Sequence, residues 1–232
     1  MTQATIDTVL AALRRTPVIA IVRRPKAPIA ETIAAIARGG VELIELTMDT
    51  PGAARELREL RASRPDLLLG AGTVTTLARA EQALRAGAAF FVTPNVDEGV
   101  IRLGREAGLA VFAGAMTPTE VWRAYAAGSS VVKIFPAGIL GPGYFKELRG
   151  PLAEVPLMAV GGVGARNAAE FLGAGAVGIG VGSALSPASG DEADLAAVTA
   201  RARELVEIVR GAVGDSAVGD GAVGDSAAGE SA

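Results

Sequence analysis

The sequence contains no cysteine and no histidine, and only three of its 22 basic residues are lysines. Without thiolate or imidazole groups, an ordinary zinc site, a cysteine nucleophile and histidine-based catalysis are excluded. Any acid–base or nucleophilic chemistry must therefore use lysine, carboxylates, hydroxyls or the backbone. The lack of cysteine also gives no reason to expect disulfides or an oxidising compartment.

The chain also lacks the features of export, membrane insertion and nucleic-acid binding. No run of about 18 consecutive apolar residues occurs. The first 22 residues are interrupted by Asp7, Arg14 and Arg15, unlike a secretory signal. The net charge of −3 provides no basic surface for nucleic acid. We therefore predict a cytoplasmic protein that binds small molecules.

The end of the chain has a distinct composition. From residue 212 onward, a five-residue unit of small and acidic residues repeats, beginning with AVGDS. So little bulky apolar surface cannot offset the entropy of ordering the segment. We therefore predict one domain over residues 1–211 and a disordered tail over residues 212–232.

Short apolar runs alternate with Ala- and Arg-rich stretches of helical period in the body of the chain. The runs cover residues 18–22, 42–47, 67–72, 90–93, 110–114, 131–135, 157–160 and 177–181. Most are apolar at every position, which is typical of parallel strands buried on both faces. Gly87, Gly108, Gly128 and Gly175 precede four of these runs and predict left-handed helix ends.

Eight strand–helix units in about 190 residues favour a closed (β/α)8 barrel over an open doubly wound sheet. Residues 3–14 predict an extra N-terminal helix, and residues 191–210 predict the last helix. We expect the aromatic residues Phe112, Trp122 and Tyr125 to serve in packing.

Lys133 lies inside the apolar run VVKIF, where fold stability gives no reason for a lysine. Burial disfavours an ammonium ion, so a lysine near a barrel mouth can become an amine nucleophile toward a carbonyl. The alternative is a lysine that extends past Phe135 to solvent.

Glu42 and Glu45 in ELIELT point to opposite faces of the predicted strand. Because function gathers at the C-terminal ends of barrel strands, Glu45 is the candidate acid–base group and Glu42 a solvated or salt-bridged residue at the other end. Alone, Glu45 could be a structural carboxylate. Together with Lys133 it completes a pair sufficient for Schiff-base chemistry without a metal.

Glycine-rich loops follow the last two predicted strands, with Gly161 and Gly162 in one and Gly182 and Ser183 in the other. Loops at these positions of a barrel commonly bind phosphate through backbone N–H groups. The pattern favours a phosphorylated substrate, although glycine also forms ordinary turns.

Arg23 and Thr73 follow the first and third predicted strands and could hold a substrate carboxylate. Arg24 competes with Arg23 for this role, and solvation of Arg23 is an equal alternative. Thr73 could instead cap the following helix.

The segments GGVELIELTMDTPGA, LLLGAGTV, FFVTPN, VVKIFPA and MAVGGV occur in this order between about residues 9 and 210. They resemble the 2-keto-3-deoxy-6-phosphogluconate aldolase family, which also includes aldolases for 2-keto-3-deoxy-6-phosphogalactonate and 4-hydroxy-2-oxoglutarate. The resemblance implies a trimeric class I enzyme on a (β/α)8 barrel, without metal or organic cofactor.

The resemblance assigns Lys133 as the Schiff-base lysine and Glu45 as the acid–base glutamate. It matches Thr73 to the threonine near the pyruvyl part, and it matches the four loop residues, Gly161, Gly162, Gly182 and Ser183, to the phosphate site. It implies reversible cleavage of a 2-keto-3-deoxy-6-phospho sugar acid to pyruvate and glyceraldehyde 3-phosphate.

Two positions depart from the gluconate-type pattern. Asp49 stands where those members have an arginine, and Val160 where they have a threonine. This is similar to the galactonate-type branch, in which an arginine at the place of Arg23 can hold the carboxylate.

Two other hypotheses remain at the level of sequence. One keeps the barrel and phosphate loops in an isomerase, epimerase or synthase without a Schiff base, which leaves Lys133 without a covalent task. The other is a non-catalytic trimeric assembly protein whose tail binds a partner.

Overall fold

The computed structural model of the chain describes residues 5–219 and contains eight parallel strands that alternate with helices. The strands are β1 (Val18–Val22), β2 (Leu43–Thr47), β3 (Leu68–Gly72), β4 (Phe90–Val92), β5 (Ala110–Ala115), β6 (Val131–Ile134), β7 (Leu157–Val160) and β8 (Gly178–Val181). The helices are α1 (Ile6–Arg15), α2 (Ile29–Arg38), α3 (Ala53–Ser63), α4 (Leu77–Arg85), α5 (Glu98–Glu106), α6 (Pro118–Ala126), α7 (Ala137–Arg149), α8 (Ala168–Gly173) and α9 (Glu192–Gly219). A short 3-10 helix, Ser183–Leu185, follows β8.

The strands close into a barrel in chain order, with β8 paired to β1. The (β/α)8 prediction is therefore confirmed, and each predicted strand agrees with the observed one to within one residue at either end. Such agreement follows from the uniformly apolar runs, because both faces of these strands are covered.

Alternation along the strands divides the apolar core into two layers. One layer lies between the strands and the surrounding helices, and the other fills the barrel interior. Phe90 and Phe112 meet edge to face in the interior, with ring centroids 5.6 Å apart. Phe112 thus packs as predicted.

Trp122 and Tyr125 pack differently from Phe112. The buried face of α6 is made by Val121 and Ala124, so Trp122 on the other face remains 47% exposed. It contacts Tyr125 at 6.0 Å between ring centroids. Trp122 therefore packs at the surface of the barrel, against Tyr125, and not in the core.

Helix α1 closes the end of the barrel at which the strands begin. Its residues Val9, Ala12 and Leu13 are buried among the interior apolar residues. Leu13 packs so closely against Gly178 that a Cβ there would lie 2.9 Å from its Cδ1. Helix α1 therefore covers the barrel interior at this end.

The four glycines that the sequence singles out as helix ends are left-handed, as predicted. Gly87, Gly108, Gly128 and Gly175 have φ values of +83°, +73°, +101° and +96°. Glycine adopts this conformation without the penalty that a Cβ would bring.

Helix α9 extends past the predicted boundary of the domain. It reaches Gly219, and the predicted boundary at residue 211 stays a prediction. Alanine favours helix, and adding residues to an existing helix needs no new nucleus. Residues 220–232 of the tail lie outside the described residues, and their predicted disorder stays a prediction. Residues 3 and 4 also lie outside them, so the predicted start of the N-terminal helix stays a prediction too.

Within residues 5–219, no helix has the length and apolarity required to cross a membrane.

Candidate active site

The C-terminal ends of the strands surround a pocket of about 430 Å³. It is lined by Ile21, Arg23, Glu45, Thr73, Pro94, Lys133, Phe135, Val160, Gly161, Gly162, Val163, Gly180, Gly182, Ser183 and Ser186. All eight site residues predicted from the sequence are in this lining. Its volume is within the usual range for a small-molecule site.

Lys133 projects from β6 into the barrel interior. Its strand neighbours Val132 and Ile134 face the outer apolar layer, so strand alternation turns Lys133 inward. Only 6% of the residue is exposed, and Nζ lies 5.1 Å from the centroid of the Phe135 ring. The lysine therefore stays within the pocket instead of extending to solvent.

Glu45 projects inward from β2 by the same alternation, between Ile44 and Leu46 of the outer layer. It is 2% exposed, and its Oε2 atom has no hydrogen-bond partner within residues 5–219. Gly72 provides the space, because a Cβ there would overlap the Glu45 carboxylate. One buried oxygen is thus free to bond a ligand or water.

Glu42 lies at the opposite end of β2. Arg15 forms a salt bridge with it, and the Thr16 hydroxyl donates to its Oε1 at 3.1 Å. The prediction of a salt-bridged residue at the bottom of the barrel is confirmed. The two glutamates differ because one meets the surface and the other the pocket.

Burial controls the ionisation of both inward groups. Desolvation raises the pKa of Glu45 to about 7, against the opposing effects of the charges on Lys133 and Arg23. Desolvation likewise lowers the pKa of Lys133, with Glu45 opposing and Arg23 adding to the shift. The neutral amine is therefore easier to form, and the carboxyl can exchange its proton near neutral pH.

Arg23 and Thr73 meet across the pocket mouth, where Arg23 Nη2 donates to Thr73 Oγ1 at 3.0 Å. Thr73 has a φ of +56°, a left-handed conformation uncommon for a β-branched residue. It does not cap α4, because Thr76 is the N-cap and accepts from the Arg79 N–H. The capping alternative for Thr73 is therefore wrong.

Arg24 lies beside the pocket without lining it. Its Nε donates to the Asp49 backbone oxygen at 3.2 Å, and its Nη2 lies 3.5 Å from Asp49 Oδ2. Arg23 Nε lies 3.8 Å from Asp49 Oδ1. Burial acts to raise the pKa of Asp49, but its hydrogen bonds and the two guanidinium groups outweigh that effect and lower it. Of the two arginines, only Arg23 is directed to the pocket.

The two glycine-rich loops reach the same side of the pocket. Gly161 and Gly162 have φ values of +88° and +74°, which a Cβ would make unfavourable. Gly182 and Ser183 lead into the 3-10 helix, whose first N–H groups have no acceptor within the helix. Backbone donors from both loops can therefore meet an anion.

Phe135, Pro94 and Ser186 line the pocket but were not predicted as site residues. Phe135 directly follows β6 and Pro94 follows β4 by two residues, and this position at strand ends is the signal that could have found them. Ser186 follows the 3-10 helix, which sequence reasoning did not anticipate. Within residues 5–219, no group of three or more potential ligands is placed to hold a metal ion.

Two curated relatives are aldolases with different named substrates. The chain is 38% identical over 172 residues to the probable 2-dehydro-3-deoxy-6-phosphogalactonate aldolase of Rhizobium meliloti (strain 1021), which covers 73% of this chain and 81% of the relative. It is 36% identical over 205 residues to the 2-dehydro-3-deoxy-phosphogluconate aldolase of Treponema pallidum (strain Nichols), covering 87% of this chain and 98% of the relative.

Two solved structures are also similar to this chain over most of its length. A structure described as native KDPGal is 33% identical, with a TM-score of 0.79, and covers 85% of this chain and 96% of its own. KDPG aldolase from Legionella pneumophila, with pyruvate captured as a covalent carbinolamine intermediate, is 26% identical with a TM-score of 0.74. That comparison covers 85% of this chain and 97% of the Legionella chain.

The family model described as "Aldolase: KDPG and KHG aldolase" matches residues 6–223, which include the whole barrel. The relatives are similar over most of their own length as well as over most of this chain. The resemblance noted in the sequence is thereby confirmed. The chain belongs to the KDPG and KHG aldolase family.

Proposed function

We propose that the protein is a class I aldolase that cleaves a 2-keto-3-deoxy-6-phospho sugar acid into pyruvate and glyceraldehyde 3-phosphate. The observation that carries the proposal is the buried amine of Lys133, which opens into the same pocket as the buried carboxyl of Glu45. Membership of the aldolase family and the carbinolamine in the Legionella relative support it.

Lys133 supplies the covalent step. Its neutral amine attacks the C2 ketone of the substrate, and loss of water from the carbinolamine gives an iminium ion. The iminium accepts the electron pair released when the C3–C4 bond breaks, which leaves an enamine of pyruvate. Protonation of the enamine and hydrolysis then release pyruvate and restore the amine.

Glu45 supplies the proton transfers. As a carboxylate it takes the proton from the C4 hydroxyl, directly or through a water, while the C3–C4 bond breaks and the aldehyde forms. A pKa of about 7 suits this exchange, because both protonation states are populated near neutral pH. Its unpartnered Oε2 is the atom that we assign to this role.

The remaining predicted residues bind the two ends of the substrate. Arg23 and Thr73 would hold the carboxylate next to the ketone through a guanidinium and a hydroxyl. The backbone N–H groups of the two glycine-rich loops would hold the distal phosphate. The chemistry then lies between the two anionic groups.

Two features bear on which epimer is preferred. Asp49 and Val160 resemble the galactonate-type branch, whereas the relatives include aldolases for both epimers. We therefore extend the proposal to the gluconate and galactonate substrates and to 4-hydroxy-2-oxoglutarate. Coupled pyruvate assays on all three compounds measure the preference.

We also propose a homotrimer that works in the cytoplasm. The family resemblance supports the trimer, and exposed apolar side chains at Met116, Trp122 and Ile139 offer surface that association would bury. Sedimentation equilibrium is expected to give three times the 23.3 kDa chain mass, and a monomer throughout the concentration range would overturn this. Cell fractionation tests the location.

Borohydride reduction in the presence of pyruvate tests the central step. The wild type is expected to gain one pyruvyl mass on Lys133, and Lys133→Ala is expected to lose both this adduct and turnover, because no other buried amine lines the pocket within residues 5–219. Mass spectrometry of peptides locates the adduct.

Lys146→Ala is the matched control, because Lys146 is an exposed lysine of α7. This variant should keep both the adduct and the turnover. An adduct on Lys26 or Lys146 in the wild type would refute the assignment of Lys133.

Replacement of Glu45 tests the proton shuttle. We expect Glu45→Gln to retain part of the pyruvate adduct while cleavage falls by roughly two to four orders of magnitude, as losses of general acid–base catalysis do. In the wild type, kcat/KM for cleavage should rise with pH through about 7, as Glu45 loses its proton. The variant should lack this inflection.

The pH profile separates the shuttle from a purely structural role. A structural defect would lower the rate without removing the inflection near neutral pH. Undiminished cleavage by Glu45→Gln, or an unchanged inflection, would exclude Glu45 as the proton-transfer group.

A further inference from the structure

Two donors outside the pocket hold the loop that follows β7. The Gly138 N–H donates to the Gly161 carbonyl oxygen at 2.7 Å, and Asn167 Nδ2 donates to the Gly162 carbonyl oxygen at 3.0 Å. Gly161 and Gly162 line the pocket, whereas neither Gly138 nor Asn167 belongs to the lining. Two consecutive carbonyl groups are thus fixed by bonds directed away from the ligand.

Fixing these carbonyl groups also fixes the N–H groups of the same peptides. In a trans peptide, the C=O of one residue and the N–H of the next point in opposite directions. The N–H groups of Gly162 and Val163 therefore point away from Gly138 and Asn167. Within residues 5–219, neither of these N–H groups donates to a protein acceptor.

The side-chain amide of Asn167 is held in one orientation. Its Oδ1 accepts from the Gly164 N–H at 2.9 Å, which directs Nδ2 toward the Gly162 oxygen. The Asn167 N–H in turn donates to the Gly164 oxygen at 3.1 Å. One side chain therefore closes the loop through both of its polar atoms.

Gly138 contributes by its small size. A Cβ there would lie 3.0 Å from both the Gly161 oxygen and the Gly162 Cα, so the first turn of α7 and the loop after β7 are in direct backbone contact. Because Gly138 follows Lys133 by five residues, the loop that carries Gly162 is tied to the strand that carries the amine. The hydrogen bond from Gly138 to Gly161 thus joins the chain segment that follows the amine to the loop of Gly161 and Gly162.

We propose that Asn167 is a positioning residue that directs the N–H group of Val163 at the phosphate of the substrate, beside the Gly162 N–H that Gly138 fixes, and so sets the preference for phosphorylated keto acids. The inference rests on the proposed function. A doubly charged phosphate gains strongly from two prealigned donors, whereas a terminal hydroxyl gains little. Asn167 itself makes no contact with substrate.

Kinetics of two Asn167 variants test this role on paired substrates. Asn167→Ala removes the two side-chain hydrogen bonds, to the Gly164 N–H and the Gly162 oxygen. Asn167→Asp keeps the acceptor for the Gly164 N–H but replaces the donor to the Gly162 oxygen with a second acceptor. With the phosphorylated acid we expect KM to rise about tenfold, the size of one lost charged hydrogen bond, with kcat little changed. With the dephosphorylated acid, kcat/KM should stay at the wild-type value.

Glu170→Ala is the matched control, because Glu170 is exposed on α8, the short helix that begins directly after Asn167. This variant should leave the kinetics of both substrates unchanged. Equal losses on both substrates in the Asn167 variants would show a general structural defect and overturn the proposal. Unchanged KM for the phosphorylated acid would overturn it as well. Failure of the proposed function is distinguishable, because wild-type protein would then form no pyruvate adduct.

A binding measurement on the wild type keeps the proposal falsifiable if a variant fails to fold. Inorganic phosphate added to ¹⁵N-labelled protein should shift the amide resonances of Gly162 and Val163, and Asn167→Asp should weaken the shift of Val163. Phosphate-induced shifts that spare both amides, or no shifts at all, would contradict the assigned direction of the N–H groups.

Discussion

The burial of one amine and one carboxyl in the same apolar interior is the constraint on which the site depends. Water would solvate the charged forms of Lys133 and Glu45, and its exclusion shifts both groups toward neutrality. A lysine is normally protonated and unreactive near neutral pH, so desolvation is what makes a Schiff base accessible. The same exclusion gives Glu45 a pKa of about 7, at which it can accept and return a proton.

The barrel produces this burial from simple strand geometry. Side chains alternate along each strand, so neighbours of Lys133 and Glu45 fill the outer apolar layer while the two polar groups face the interior. Helix α1 closes the bottom, and the glycine at position 72 leaves room for the Glu45 carboxylate. The loops at the open end then add donors for the two anionic ends of a substrate. Stability and chemistry thus occupy opposite ends of the same strands.

Much of this arrangement could be predicted from the sequence. Uniform apolar runs define the strands, and a lysine or glutamate within such a run stands out because burial is costly. The parts that could not be predicted depend on tertiary contacts. The side chain of Asn167 bonds Gly162 and Gly164, which lie five and three residues earlier in the loop after β7. Asp49 follows β2, whereas the two arginines beside it, Arg23 and Arg24, follow β1.

The pH dependence of pyruvate adduct formation tests the central claim most directly. The rate of borohydride-trappable adduct formation in the wild type reports the fraction of Lys133 that is neutral. Burial predicts an inflection well below the value of about 10.4 for an exposed lysine, and a rate that is constant above it. A rate that continues to rise until pH reaches about 10.4 would show a normally solvated amine and contradict the account.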